Sequence, residues 1–225
     1  MDLDRAPLVT PFWWLVGHIL LWPPARLLAR LRVSGRENLP AEGAVLIVSN
    51  HVSQADPPTM GIAALPRRQY YMAKQELFRV PVLGFMIHKL GAFPIDRGGA
   101  DRRALRIAKE ILARGDMLLM FPEGHRHPDG RLHPGLPGAG TLGLEPGVTV
   151  VPAAIWGSQK PTGPARVVFG APLDLSDLAG GPRSRRSQEA VDRMMAAIAE
   201  LLPLAGGPAQ EAPTHRTEPV ERLDG

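Results

Sequence analysis

The chain has 225 residues, enough to bury one sizeable core with a small appendage. It contains no cysteine, which excludes a disulfide scaffold, a thiolate metal site and a cysteine nucleophile. Lys plus Arg number 26 against 22 Asp plus Glu, a net charge of +4 that suits phosphates or acidic lipid surfaces, whereas aromatic residues are only 5% and cluster near the N-terminus, which argues against nucleic acid.

The stretch from Pro11 to Trp22 is apolar apart from His18 and stops at Pro23-Pro24. As a helix it reaches about 18 Å, short of the roughly 30 Å hydrocarbon core, so it does not span a bilayer. Residues 25–32 then set Leu27, Leu28 and Leu31 among Arg26, Arg30 and Arg32, and Trp13, Trp14 and Trp22 suit a membrane interface. Residues 1–31 are expected to form a helical hairpin that anchors the chain monotopically on anionic lipid, at the cytoplasmic face of the cell membrane. The alternative is a hairpin packed on the chain's own core. A signal peptide fits poorly, because Asp2 and Asp4 stand where positive charge is required.

From Arg32 onward short apolar runs alternate with helical patterns, which predicts an α/β fold with a single mixed sheet flanked by helices. The expected strands are 32–34, 45–49, 70–73, 92–95, 117–121, 148–155 and 166–169. The expected helices are 57–64, 82–89, 101–114, 138–144 and 187–202. In the last of these Val191, Met194, Met195, Ile198 and Leu202 share one stripe, which reads as core packing. The main domain is placed at 32–203, and residues 204–225 read as a disordered tail.

Three clusters carry chemistry. In the first, the run Ala44 to Ser49 delivers Asn50-His51-Val52-Ser53-Gln54-Ala55-Asp56 to a strand end. Pro57-Pro58 turns the chain, so Asp56 is expected to cap the next helix with one oxygen and accept from the His51 ring with the other. A neutral imidazole held this way offers its second nitrogen as a base. Taken alone, the same residues are equally a polar strand end with a capping aspartate. The second cluster is Gly91-Ala92-Phe93-Pro94-Ile95-Asp96-Arg97, and the third is Phe121-Pro122-Glu123-Gly124-His125-Arg126. Arg97 and Arg126 are able to grip a phosphate, Glu123 to accept from hydroxyls, and Gly124 to let backbone amides approach a ligand.

In this order the clusters, followed by Val151-Pro152-Ala153-Ala154-Ile155, resemble the four blocks of the glycerolipid acyltransferases of the lysophosphatidate (1-acyl-sn-glycerol-3-phosphate) type. The likeness spans about 32–169 and includes Ala73-Lys74-Gln75-Glu76-Leu77-Phe78. It implies an O-acyltransferase of phospholipid biosynthesis, moving a fatty acyl group from a coenzyme A or acyl-carrier-protein thioester to a lysophospholipid hydroxyl. On that resemblance His51 is the general base and Asp56 its partner, while Arg97, Glu123, Gly124 and Arg126 hold the glycerol phosphate. Lys74, or an amide near Gly124, is the expected oxyanion donor. No covalent acyl-enzyme and no cofactor are required.

The chain departs from the family pattern in three places. His125 stands where threonine is usual, His127-Pro128-Asp129 replaces a serine-led stretch, and the lysine expected within Leu132 to Gly138 is absent. The acceptor is thus either 1-acyl-glycerol-3-phosphate or a related lipid alcohol. A rival reading takes Glu123, His125, His127, Asp129 and His133 as a hydrolase metal cluster. Pro128 and Gly130 make that segment a loop whose histidines are expected to be solvated, so no metal is assigned. A non-catalytic membrane-surface module is the remaining alternative, and the intact His51, Asp56, Glu123 and Arg126 argue against it.

Overall fold

The run Val45-Leu46-Ile47-Val48 is wholly buried, because a strand sends alternate side chains to opposite faces and both faces here are covered. The computed structural model describes residues 3–17, 30–96, 101–160 and 164–213. Seven strands form one mixed sheet: β1 (Arg32–Ser34), β2 (Ala44–Ser49), β3 (Gln69–Lys74), β4 (Ala92–Ile95), β5 (Met117–Met120), β6 (Val148–Trp156) and β7 (Arg166–Phe169), in the order β1-β7-β6-β2-β5-β3-β4. Every pairing is parallel except β6 with β7. The helices are α1 (residues 11–17), α2 (Asp56–Ala63), α3 (Pro81–Lys89), α4 (Arg102–Ala113), α5 (Pro137–Gly143) and α6 (Arg183–Leu201).

Val45 and Ile47 join Met117, Leu119, Val151 and Ile155 against Met60 and Ala63 of α2. Leu46 and Val48 join Leu118, Val150 and Ala154 on the other face, under α4, α5 and α6. The expected stripe of α6 is buried there from Val191 to Leu202, each such side chain contributing roughly 1.5–3 kcal/mol before entropy is counted. That helix starts at Arg183, four residues earlier than the periodicity suggests, because its first turn is exposed and held by an Arg183–Glu145 ion pair of 2.7 Å, not by apolar burial.

The connections determine where a ligand is able to sit. Strand β2 passes to β3 through α2 on one face, while its neighbour β5 passes to β6 through α5 on the other. Loops that part to opposite faces leave a crevice at the carboxyl ends of those two strands, the usual ligand position in open α/β sheets. His51 follows β2 and Glu123 follows β5, so both motifs arrive at this crevice. A cleft of about 400 Å³ lies elsewhere, beside the start of β6, and is lined by residues such as Glu145, Leu173 and Arg186.

Both chain ends depart from expectation. Ala6 and Val9 are buried in the main core, and Trp14 packs against it. Arginine side chains grip the leading segment: Arg103 Nη2 donates to Leu3 O at 2.8 Å and Arg68 Nη1 to Val9 O at 3.0 Å. The described part of the N-terminal segment is therefore docked on its own domain, while residues 18–29 lie outside the described residues. No helix among the described residues is long and apolar enough to cross a membrane. At the other end, residues 204–213 do not hang free. Ala205 is buried, and Gln210 donates from Nε2 to Gly130 O and accepts at Oε1 from Leu132 N, both at 2.9 Å. Residues 214–225 lie outside the described residues.

Docking of residues 3–9 is testable by urea unfolding. Val9→Asn places an unpaired amide in the core and is expected to lower stability by about 2–3 kcal/mol. A change below about 0.5 kcal/mol, the level of an exposed site, would show that the segment is not packed.

Candidate active site

The turn after β2 is shaped by Asp56, which is fully buried. Its Oδ2 accepts from the backbone amides of Val52 at 2.7 Å and Ser53 at 2.8 Å, and lies 2.7 Å from His51 Nδ1. Its Oδ1 accepts from Ser158 Oγ at 2.5 Å. A buried carboxylate requires such donors, and here they fold the chain back on itself. The aspartate thus lies within the first turn of α2, behind the N-cap position of Ala55, and serves the preceding turn, not the helix amides. The sequence expectation of an N-cap is corrected in this detail. The pairing with His51 survives it.

The His51 ring is held on its flat side too, stacked on Phe121 with centroids 4.0 Å apart and planes 11° from parallel. Donation from Nδ1 to a carboxylate puts the hydrogen of the neutral ring on Nδ1. Nε2 makes no hydrogen bond among the described residues, so it is the nitrogen left to receive a proton. Beneath it, Asn50 bridges to β6 with both ends of its amide, donating to Ile155 O and accepting from Ile155 N at 2.9 Å each.

Glu123 joins the end of β5 to two backbone amides. Its Oε1 accepts from His51 N at 3.3 Å and its Oε2 from His133 N at 3.0 Å, with the side chain buried. Burial pushes its carboxyl up to about 7, against the opposing pull of those two amide bonds. It braces two backbone segments. Gly124 has φ of +72°, and a Cβ there would meet Leu136 at 2.6 Å, so glycine is required. Its amide donates to Phe121 O at 3.0 Å, which removes it as a free oxyanion donor.

Arg126 is exposed and makes no hydrogen bond or ion pair among the described residues, leaving its guanidinium available to an anion. Arg97 lies outside the described residues; the segment leading to it leaves β4, and Asp101 ties its flanks by accepting from Asp96 N and Ala104 N. Lys74, at the end of β3, is exposed and paired with Glu76 at 3.2 Å, and no bond joins it to His51, Asp56 or Glu123. His125 is exposed, whereas His127 is half-buried, donates its backbone N–H to His51 O at 2.8 Å, and stacks on His133 with ring centroids 3.7 Å apart. Burial and the neighbouring His133 hold the His127 imidazole below its usual range. Ser158 and the stacking role of Phe121 were not legible in the sequence. The first sits far along the chain with no motif, and the second is a hydrophobic residue whose partner only the fold supplies.

Chemically, the arrangement offers an imidazole fixed by Asp56 and Phe121 at the carboxyl end of β2, with the exposed Arg126 in the loop after β5. The model of the family described as acyltransferase matches residues 30–156. The chain is 30% identical over 177 residues to the 1-acyl-sn-glycerol-3-phosphate acyltransferase of Bacillus subtilis (strain 168), covering 76% of this chain and 87% of that one. It is 36% identical over 156 residues to the lyso-ornithine lipid O-acyltransferase of Pseudomonas aeruginosa, covering 64% of this chain and 52% of that protein. The crystal structure of the 1-acyl-sn-glycerophosphate (LPA) acyltransferase PlsC from Thermotoga maritima is similar with a TM-score of 0.65 at 26% identity, covering 84% of this chain and 79% of that chain.

The raised Glu123 carboxyl has a signature in stability. The folded state holds this proton more tightly than the unfolded state, so its contribution is complete below about pH 4.5 and is lost as pH rises toward about 7. Over that window the unfolding free energy of the wild type is expected to fall, relative to Glu123→Gln, by on the order of 3 kcal/mol. Parallel pH profiles for the two proteins would contradict the assignment.

Proposed function

The chain belongs to the acyltransferase family, of the lysophosphatidate acyltransferase type, and from that premise we propose that it acylates 1-acyl-sn-glycerol-3-phosphate to phosphatidate, with His51 as the general base. The enzyme is an O-acyltransferase acting between an acyl donor and a lysophospholipid acceptor. The observation that carries the finer reading is the 2.7 Å contact of His51 Nδ1 with Asp56 Oδ2, which leaves Nε2 as the proton acceptor.

In this reading the acceptor hydroxyl gives its proton to His51 Nε2 as its oxygen bonds to the thioester carbonyl carbon. The tetrahedral intermediate collapses, the carbon–sulfur bond breaks, and the proton on His51 passes to the departing thiolate. Asp56 fixes the ring tautomer and steadies the imidazolium between the two steps. Arg126 and Arg97 supply positive charge for the glycerol phosphate. The donor is a coenzyme A or acyl-carrier-protein thioester, and no cofactor takes part. His51→Ala is expected to lower kcat by about 10²–10⁴ with the fold intact, and wild-type turnover in that variant would end the proposal.

We further propose that the enzyme works as a monotopic protein on the cytoplasmic face of an anionic membrane. Leu8 is 70% exposed, Phe12 64% and Val82 73%, and Trp13 packs edge-on against Phe85 at 5.5 Å, joining α1 to α3 into one apolar face. Phe12→Glu with Val82→Glu is expected to reduce co-sedimentation with phosphatidylglycerol vesicles at least tenfold. Unchanged sedimentation would remove this face as the membrane contact.

A second acceptor reading has its own support. The lysine expected within Leu132 to Gly138 is absent, and the lyso-ornithine lipid O-acyltransferase of Pseudomonas aeruginosa is 36% identical. An acceptor panel with labelled acyl thioester, read by mass spectrometry, is expected to give phosphatidate as the fastest product. Acylation confined to a phosphate-free lipid alcohol would transfer the assignment to this second reading.

A further inference from the structure

The loop between β5 and α5 carries a cluster that the acyl-transfer chemistry does not use. One ligand atom from each of His127, Asp129 and His133 lies within 4.8 Å of the others. Two imidazoles and a carboxylate suit zinc-class ions, which bind such donors at about 2.0–2.2 Å and so ask for donors about 3.4 Å apart in a tetrahedron. Closure on one ion requires the exposed His133 ring to turn out of its 3.7 Å stack on His127, while the exposed Asp129 keeps Oδ2 for the ion as Oδ1 accepts from Arg131 N.

The backbone beneath them is already built. Gly130 N donates to His127 O at 3.0 Å, Arg131 N donates to Asp129 Oδ1 at 3.2 Å, and Gln210 clamps Gly130 and Leu132 from outside. Behind the cluster, Glu123 Oε2 stands 3.8 Å from His127 Nε2, beyond hydrogen-bond length but near enough to favour a positive charge there. Ordering these segments in advance lowers the cost of gathering three ligands from one loop.

We propose that His127, Asp129 and His133 bind a zinc-class divalent ion, with water completing its coordination, and that the ion locks this loop to the backbone of His51. Two bonds make the link: His127 N to His51 O, and His133 N to the Glu123 carboxylate that also accepts from His51 N. The ion is a structural and regulatory element beside the dyad, not the source of a nucleophile. The proposal is independent of which lipid accepts the acyl group.

The test uses the untagged full-length chain, stripped with chelator and dialysed against Zn²⁺, with bound metal counted by mass spectrometry. One Zn²⁺ per chain is expected to bind saturably and to raise the thermal unfolding midpoint. His133→Ala should weaken binding at least tenfold and abolish the thermal shift. Should that variant fail to fold, Asp129→Asn, altered at an exposed side chain, gives the same comparison. Absence of saturable binding in the wild type, or equal affinity in wild type and the folded variant, overturns the site.

Discussion

A carboxylate removed from water has to be supplied with donors, and the way Asp56 meets that demand organises the rest of the crevice. Three donors come from consecutive residues 51–53 and the fourth from Ser158, beyond β6. The same oxygen that holds the imidazole also holds two backbone amides. A tilt of the ring therefore cannot be made without disturbing the turn that carries it. Orientation of the base is a property of the fold here, not of one side-chain contact.

The sheet adds a second constraint. β2 lies between β6 and β5, and each neighbour returns a polar group to the residues that follow it. Asn50 joins β2 to β6 through a paired amide contact, and Glu123 joins the end of β5 to the His51 amide. The divergence of α2 and α5 to opposite faces leaves room above these strands, while the bonds between them keep the floor rigid. Glu123 contributes through backbone support, and this accounts for a carboxyl placed where burial disfavours its charge.

The sheet and the dyad were legible in the sequence for a simple reason: both are encoded locally. Short runs of three to nine residues, mostly apolar, marked all seven strands, and the turn between His51 and Asp56 just before Pro57-Pro58 brought the pair together. What the sequence hid depends on distant partners. The cap on Asp56 was assigned forward to the helix, whereas the carboxylate reaches back to Val52 and Ser53 because the turn amides face it. Lys74 read as a donor for the site, yet its strand lies beyond β5 and its ammonium pairs with Glu76. Residues 204–213 lack periodicity, and Gln210 still ties them to the loop after β5 through two hydrogen bonds that no pattern announces. At the N-terminus, an apolar stretch looks alike whether it meets lipid or its own core. The burial of Ala6 and Val9 and the bonds from Arg68 and Arg103 separate the two for residues 3–9.

The loop from His125 to His133 carries the departures from the family pattern read in the sequence, and it is bonded to the backbone of His51. His127 donates to the His51 carbonyl, and His133 shares Glu123 with the His51 amide. A change of side chain in this loop is therefore transmitted to the dyad through the backbone, not through contact with substrate. Exposed positions such as His125 and Arg126 are freer, since their side chains carry no such bonds. Acceptor recognition can drift at those exposed tips while the peptide groups beneath them remain fixed. On the proposed reading, this separation would let one frame serve different lipid alcohols, with the choice resting on residues that bear little of the structural load.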